Sequence, residues 1–245
     1  MTEEQKNYEL VEKGSFIFKK YTHKKIISVY KDNKLVVVRW VKNPEDLDVK
    51  DNKVFYCPDG LIYKEDVIVD KEKELFDFLD EDNGKKWKYL SNSKNSRKVQ
   101  HYGYLYNYKS GSVKEKGDNI PKEFQFLIDT LNKECLEKFG KEYKFNQVIV
   151  NNYDPGQGIS AHTDVKEYGE VIGCYTIGSG ATMLFTKGDD IMYDLYVKKN
   201  SLYIMSGDSR YKWKHEMCGR KTDMVNNKRV KRDRRISITF RYVDI

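Results

Sequence analysis

From Phe145 to the C-terminus the chain is a succession of short strand-like runs: "QVIVNNY", "VIGCYTIG", "TMLFTK", "YDLYVK", "SLYIMSG", "SRYKWKHEM" and "RRISITFRYV". Turns containing Gly, Asp or Asn separate most of them. Helical periodicity is confined to the stretch before. There Pro121 opens and Gly140 follows a run in which Phe124, Leu127, Ile128, Leu131 and Cys135 share one face. Grouped helices followed by many short strands predict a mainly β, α+β fold: a sandwich or jelly-roll core buttressed by helices.

The first 57 residues are also β-rich. "FIFKK", "IISVYK" and "LVVVRW" read as strands, the last two joined by "DN" as a hairpin. "CPDG" at 57–60 is a turn and marks a boundary between an N-terminal extension, 1–57, and a second domain, 58–245. Asp70 is placed to cap a helix with Leu75, Phe76 and Leu79 on one face. "SNSKNS" (91–96) reads as a loop, and "SGSVKEKGDN" as a mobile polar connection. Between them "RKVQHYGYLYNY" alternates, with Tyr102, Tyr104, Tyr106 and Tyr108 on one strand face.

No apolar run approaches the roughly 20 residues that span a bilayer, and the N-terminus is too acidic and polar for a signal peptide. The four cysteines are widely spaced without a CxxC pair, which argues against a structural zinc site or a disulfide framework. An intracellular protein is expected, cytoplasmic or nuclear, monomeric and without a membrane partner. The net charge is +7, and between Ser209 and Arg235 stand 11 Lys/Arg against 3 Asp/Glu. That stretch is either a face for nucleic acid phosphates or a solvated surface.

Polar residues fall on strand faces that should point inward. In "SAHTD", His162 and Asp164 are i and i+2 and project together. In "SRYKWKH", Tyr211, Trp213 and His215 alternate with cations, so His215 faces inward beside a tryptophan. A buried histidine is more often a satisfied core residue than a ligand. Together, however, His162, Asp164 and His215 have the residue types of a two-histidine, one-carboxylate Fe(II) site with open positions. In "RISITFR", Arg235, Ser237, Thr239 and Arg241 share one face, opposite Ile236, Ile238 and Phe240. Buried guanidinium groups need anionic partners. Either internal salt bridges serve, or a dicarboxylate ligand is gripped at both ends. Asn151 and Tyr153 in "NNY" are hydrogen-bond donors for the same ligand.

The ordered set Asn151-x-Tyr153, His162-x-Asp164, His215 after "GDSRYKW", and Arg235-x5-Arg241 resembles the AlkB-like Fe(II)/2-oxoglutarate dioxygenases from about Pro58 onward. "QHYGY", "YDPGQGISAHTD" and "SGDSRYKWKH" look closest to the branch that hydroxylates modified wobble uridines in tRNA. The resemblance implies a double-stranded β-helix with Fe(II) on His162, Asp164 and His215. It places 2-oxoglutarate on Asn151, Tyr153, Arg235 and Arg241, with help from Ser237 and Thr239. The implied reaction consumes O₂ and 2-oxoglutarate, releases succinate and CO₂, and hydroxylates a substrate C–H bond. On an N-methyl group the product collapses to formaldehyde and demethylated base. On a carbon substituent the hydroxyl stays.

The region 97–118 corresponds to the lid that holds the nucleotide in this family, so Tyr102 and Tyr104 are candidates to stack on a base. At least two of the four tyrosines are expected to be core or cross-strand pairs instead. The repair enzymes of the family keep an acid two places after the iron-binding Asp, where this chain has Lys166. That departure disfavours repair-type demethylation. Lys166 and Arg210 join the substrate-binding candidates, and RNA is favoured over DNA. The tRNA-modifying relatives carry an RNA-recognition domain ahead of the catalytic unit and a methyltransferase behind it, neither of which is expected here. Competing readings are alkylation repair, oxidation of a protein side chain, and an inactive nucleic-acid-binding module. The complete ligand set argues against the last.

Overall fold

The computed structural model describes residues 8–21, 26–40, 48–50, 53–82, 84, 86–91 and 96–244. The loop expected at "SNSKNS" lies outside them except for its two ends. No helix among the described residues is long and apolar enough to cross a membrane. The chain forms two compact units, Met1–Cys57 with Thr186–Tyr193, and Pro58–Phe185 with Asp194–Ile245.

In the first unit β1 (Tyr8–Lys13), β2 (Phe16–Tyr21), β3 (Ile26–Lys31) and β4 (Lys34–Trp40) form an antiparallel meander. Asp32 and Asn33, with φ of 49° and 60°, make the tight turn that "DN" predicts between β3 and β4. Phe16, Phe18, Ile27 and Val29 are buried, as an alternating strand pattern requires. A short hairpin, β5 (Asp48–Lys50) and β6 (Lys53–Phe55), completes the unit.

The second unit is built on β7 (Leu61–Lys64), β8 (Lys88–Tyr89), β9 (Lys98–Asn107), β10 (Ser112–Lys116) and β11 (Gln147–Tyr153). It continues with β12 (Ile159–His162), β13 (Ile172–Gly178), β14 (Ala181–Lys187), β15 (Ile191–Val197), β16 (Ser201–Met205) and β17 (Lys214–Met217), the ends of β14 and β15 that fall within Thr186–Tyr193 belonging to the first unit. A small hairpin of β18 (Thr222–Val225) and β19 (Lys228–Lys231) precedes β20 (Arg235–Arg241). The major sheet runs β10-β9-β11-β20-β13-β16-β7, with β8 beside β9. The strands of the minor sheet are ordered β12-β17-β14-β15. The sheet-rich core is that of a jelly roll. The stretch read as a polar connection is in fact β10, which pairs with β9.

One face of the major sheet packs on α1 (Glu72–Asp77) and α2 (Gln125–Phe139). Ile236, Ile238 and Phe240 of β20 join Val148, Val150, Leu131 and Cys135 in that core, all fully shielded from solvent. Each such side chain contributes roughly 1.5–3 kcal/mol, so burying the apolar side of β20 sets which way its polar side faces. Gly140 caps α2 with φ 71°. Asp70 is not a cap: α1 begins after Lys71 without any side-chain cap, although Leu75 and Leu79 do enter the core.

Candidate metal centre

β12 and β17 pair antiparallel with His162 directly opposite His215. The ring centroids are 4.3 Å apart. β12 ends at His162, so Asp164 occupies the turn beyond it and not the next outward pleat of a strand. The turn still brings the carboxylate to the histidines: Asp164 Oδ2 lies 3.6 Å from His215 Nε2. One ligand atom from each of the three residues falls within 4.8 Å of the others.

The donor set suits a metal on three counts. His162 Nδ1–H donates to the Ser160 carbonyl at 2.8 Å, which leaves Nε2 as the free lone pair. Burial drives the His215 imidazole down to about 4, against the pull of Asp164, and so keeps it in the neutral, ligating form. Asp164 Oδ2 is buried with no hydrogen-bond partner. Burial of Asp164 favours protonation, but Arg241, the two histidines and Arg210 outweigh it and hold the carboxyl at about 2. An ionised oxygen left unpartnered is costly, and a cation removes that cost. Two histidines and one carboxylate are the donors of non-haem Fe(II) sites.

The polar side of β20 borders the same place. A small cavity is lined by Asn151, Tyr153, His215, Arg235, Ser237 and Thr239. The two arginines differ. Arg241 directs Nε and Nη2 at Asp164 Oδ1, at 2.9 and 2.8 Å, and Nη1 at Gln147 Oε1 at 3.2 Å. It is an internal salt bridge. Arg235 has no carboxylate partner among the described residues; Nη2 donates to Thr176 Oγ1 at 2.9 Å and its buried Nε has no acceptor. An anionic ligand is the group that would satisfy it. Asn151 Nδ2 reaches Ser237 Oγ at 3.5 Å, and Thr239 Oγ1 donates to Cys174 Sγ at 3.4 Å.

A second, larger cavity of about 340 Å³ shares the His162 and Asp164 wall. Its other walls include Arg97, Tyr106, Tyr108 and Tyr168. Tyr106 and Tyr108 meet edge to face at 4.9 Å, and Tyr108 Oη bonds His101 Nε2 at 3.1 Å. Arg97 Nε donates to Asn151 Oδ1 at 2.9 Å, tying the two cavities together.

The substrate candidates are largely corrected. Gly103 interrupts the alternation of β9 with φ 71°, where a Cβ would stand 1.9 Å from the Asn146 carbonyl oxygen. The strand therefore changes phase there. Tyr102 turns into the helix-side core, 3% exposed, against Phe124 and with its hydroxyl on Gln100 Oε1. Tyr104 is half-buried and does not line the cavity, whereas Tyr106 and Tyr108 do. Lys166 is exposed on the turn after Asp164 and lies outside the cavity wall. Arg210 is 2% exposed, spends its donors on main-chain carbonyls and does not line the large cavity. The stretch around it is a short helix, α3 (Gly207–Tyr211), before β17, which is why the expected outward turn of its cations fails at this residue.

The basic stretch is likewise not one open face. Arg210, Arg232 and Arg235 are buried, Arg232 pairs with Asp223, and Arg234 grips Asp80 at 2.7 and 2.8 Å. Lys212, Lys214, Arg220, Lys221, Lys228, Arg229 and Lys231 are the exposed remainder, with Lys212 paired to Asp208 and Arg220 to Asp223. Sequence reasoning passed over Arg97, Tyr168 and Tyr203, although Arg97 opens the quoted "RKVQHYGY" and Tyr168 stands four places past Asp164.

Residues 78–241 match the family model described as the 2OG-Fe(II) oxygenase superfamily. Uncharacterized protein L905 of Acanthamoeba polyphaga mimivirus is 39% identical over 153 residues, covering 60% of this chain and 70% of that protein. The tRNA (carboxymethyluridine(34)-5-O)-methyltransferase ALKBH8 of Mus musculus is 30% identical over 172 residues, covering 69% of this chain. The match spans only 26% of ALKBH8. Among solved structures, OsALKBH1 superposes with a TM-score of 0.57 at 16% identity, covering 80% of this chain and 99% of that one.

Proposed function

The chain belongs to the 2OG-Fe(II) oxygenase superfamily, and from that premise we propose that it oxidises a modified nucleobase in RNA, with tRNA the first candidate. As a member of the family it is an enzyme that uses Fe(II), 2-oxoglutarate and O₂. His162, Asp164 and His215 would hold the iron. Arg235 would take the far carboxylate of 2-oxoglutarate, with Asn151, Tyr153, Ser237 and Thr239 around it. Arg241 adds positive charge while remaining on Asp164. When bound, the iron supplies activation of O₂ at the expense of 2-oxoglutarate, which becomes succinate and CO₂ as a substrate C–H bond becomes C–OH.

The chain's own residues bind, orient and exclude water. Met183 and Met205, both buried, border the histidine pair in the small cavity and do not line the large one. The observation that carries the substrate reading is that cavity. At about 340 Å³ it is of the size that takes a small planar ligand. Tyr106, Tyr108 and Tyr168 offer it ring faces and edges, and it opens onto His162 and Asp164. Exposed Lys228, Arg229 and Lys231 offer phosphate contacts. The name of the ALKBH8 relative, a wobble-uridine enzyme, points the same way.

The test is incubation of total tRNA, mRNA and methylated DNA oligomers with enzyme, Fe(II) and 2-oxoglutarate, followed by nucleoside mass spectrometry. A hydroxylated wobble uridine in tRNA, absent with His162→Ala, is the expected result. Loss of an N-methyl base with formaldehyde release redirects the reading to demethylation. Succinate formation without any altered nucleoside overturns the nucleobase reading and leaves the family assignment intact.

A further inference from the structure

Arg210 is among the largest fully buried side chains of the protein. No carboxylate pairs with it among the described residues. A guanidinium withdrawn from water without a counter-ion is expensive, so what it touches must explain it. Nη1 donates to the Asp164 carbonyl at 2.9 Å, and Nη2 to those of Val165 at 2.6 Å and Tyr168 at 3.0 Å. Nε donates to the Gly169 carbonyl at 3.3 Å. All four acceptors belong to one turn, the turn that begins with Asp164.

The same turn is held from its other side by Arg241. That residue bonds Asp164 Oδ1 and lies over the Tyr168 ring at 4.6 Å. Arg241 thus fixes the side chains, and Arg210 fixes the backbone beneath them. The Tyr168 ring faces the large cavity, so one backbone segment carries both a carboxylate of the triad and a cavity wall. Arg210 is itself anchored. α3 has a capping box between Ser206 and Ser209, and the Ser209 amide donates to the Asp59 carbonyl at 2.8 Å. β17, with His215, follows directly, so Arg210 ties the segment bearing one histidine to the turn bearing the carboxylate.

We propose that Arg210 is a positioning residue of the metal centre: by gripping four carbonyls of the Asp164–Gly169 turn it aims Asp164 Oδ2 at the space between the two histidines. The inference rests on the reading of His162, Asp164 and His215 as a metal site. Residues that orient metal ligands from behind typically contribute about 10–100-fold in affinity. The arginine fork suits the task because one planar group serves several acceptors, which a lysine ammonium does not reproduce.

Co(II) serves as the probe, titrated by visible absorption into the full chain, its thermal unfolding recorded alongside. Arg210→Met is expected to weaken Co(II) binding about 10–100-fold and to change the shape of the cobalt band. Arg210→Lys, which keeps the charge and carries the comparison should the methionine variant not fold, is expected to weaken it about tenfold. Arg232→Met is the control. It breaks another buried pair of the same unit, with Asp223, and should lower stability while leaving Co(II) affinity within about twofold. Arg210 variants that bind Co(II) within about twofold of the wild type, with an unchanged band, overturn the proposal. So does an equal loss in Arg232→Met, which would make the effect general loosening. A wild-type chain that binds Co(II) no better than His162→Ala refutes the metal reading itself, a result distinct from the other two.

Discussion

Arg241 meets Asp164 through one carboxylate oxygen only: Nε and Nη2 both reach Oδ1, at 2.9 and 2.8 Å, while Oδ2 is buried with no hydrogen bond. The carboxylate is therefore divided between two tasks. Oδ1 is fastened to the major sheet through β20, and Oδ2 is turned to the histidines of the minor sheet. The pair explains how a chain can keep an ionised, half-satisfied carboxylate in its interior. It also separates the two arginines of β20, one committed within the protein and one left with an unpaired nitrogen.

Removing the fastening should be costly. Arg241→Met leaves Asp164 buried without its main cation, and losing one partner of a buried pair costs about 3–5 kcal/mol. Urea unfolding of the metal-free chain should show that loss. Mn(II) should widen the gap between variant and wild type, because a carboxylate without its fastening binds the ion more weakly and gains less stability from it. An Arg241→Met protein as stable as the wild type without metal would contradict the division of labour between the two oxygens.

Acid should expose another buried pair. Burial works against ionised Asp223, but hydrogen bonds and charge from Arg232, with Arg220 beside it, hold its carboxyl below the ordinary carboxylate value. A depressed carboxyl contributes stability above its unfolded pKa of about 3.9 and loses it as pH falls through the folded value. Urea midpoints taken from neutral pH down to pH about 2.5 should therefore fall more steeply for the wild type than for Asp223→Asn in the range below about 4. At neutral pH the variant should be the less stable of the two. Parallel profiles would show that the pair has no part in the acid response.

The strand-rich architecture was legible because it rests on alternation. β20 shows this best: Ile236, Ile238 and Phe240 are core and the residues between them border the cavity, as period two requires. The histidine pair and Asp164 were legible by residue type and order, since few side chains can carry that chemistry. What could not be read was local geometry that breaks a period. Gly103 flips the phase of β9, so four tyrosines that alternate in sequence end on two sides of the sheet. A five-residue helix interrupts the strand expected around Arg210 and turns that cation inward. Nor does sequence say which arginine of β20 finds an internal acid, because Asp164 and Arg241 are 77 residues apart.

The phase change at Gly103 yields opposite outcomes for two tyrosines of one strand. Tyr102→Ala removes a core ring packed on Phe124, and should cost about 3–5 kcal/mol of stability. Its KM for RNA, measured well below the melting temperature, should stay near that of the wild type. Tyr108→Ala, at the cavity wall, should change stability little and raise the KM by an amount that reflects a stacking loss of about 1–3 kcal/mol. Matching kinetic defects in the two variants would put Tyr102 back at the substrate.

Arg235 and Arg241 should separate in the same manner for the cosubstrate. Arg235 Nε is the buried donor left unsatisfied beside Ser237 and Thr239, so a carboxylate bound there completes its hydrogen bonding. A hydrogen bond to a charged group contributes about 1.5–3 kcal/mol. Arg235→Met should therefore raise the KM for 2-oxoglutarate roughly 10- to 150-fold in a succinate-release assay. Its Mn(II) affinity should be unchanged, since among the described residues the side-chain hydrogen bond of Arg235 goes to Thr176 and not to the histidines or Asp164. Arg241→Met should do the reverse, weakening the metal first and 2-oxoglutarate only as a consequence. If Arg235→Met keeps the wild-type KM while Arg241→Met alone loses 2-oxoglutarate, the cosubstrate lies on the other arginine, and the unpaired nitrogen of Arg235 needs a different explanation.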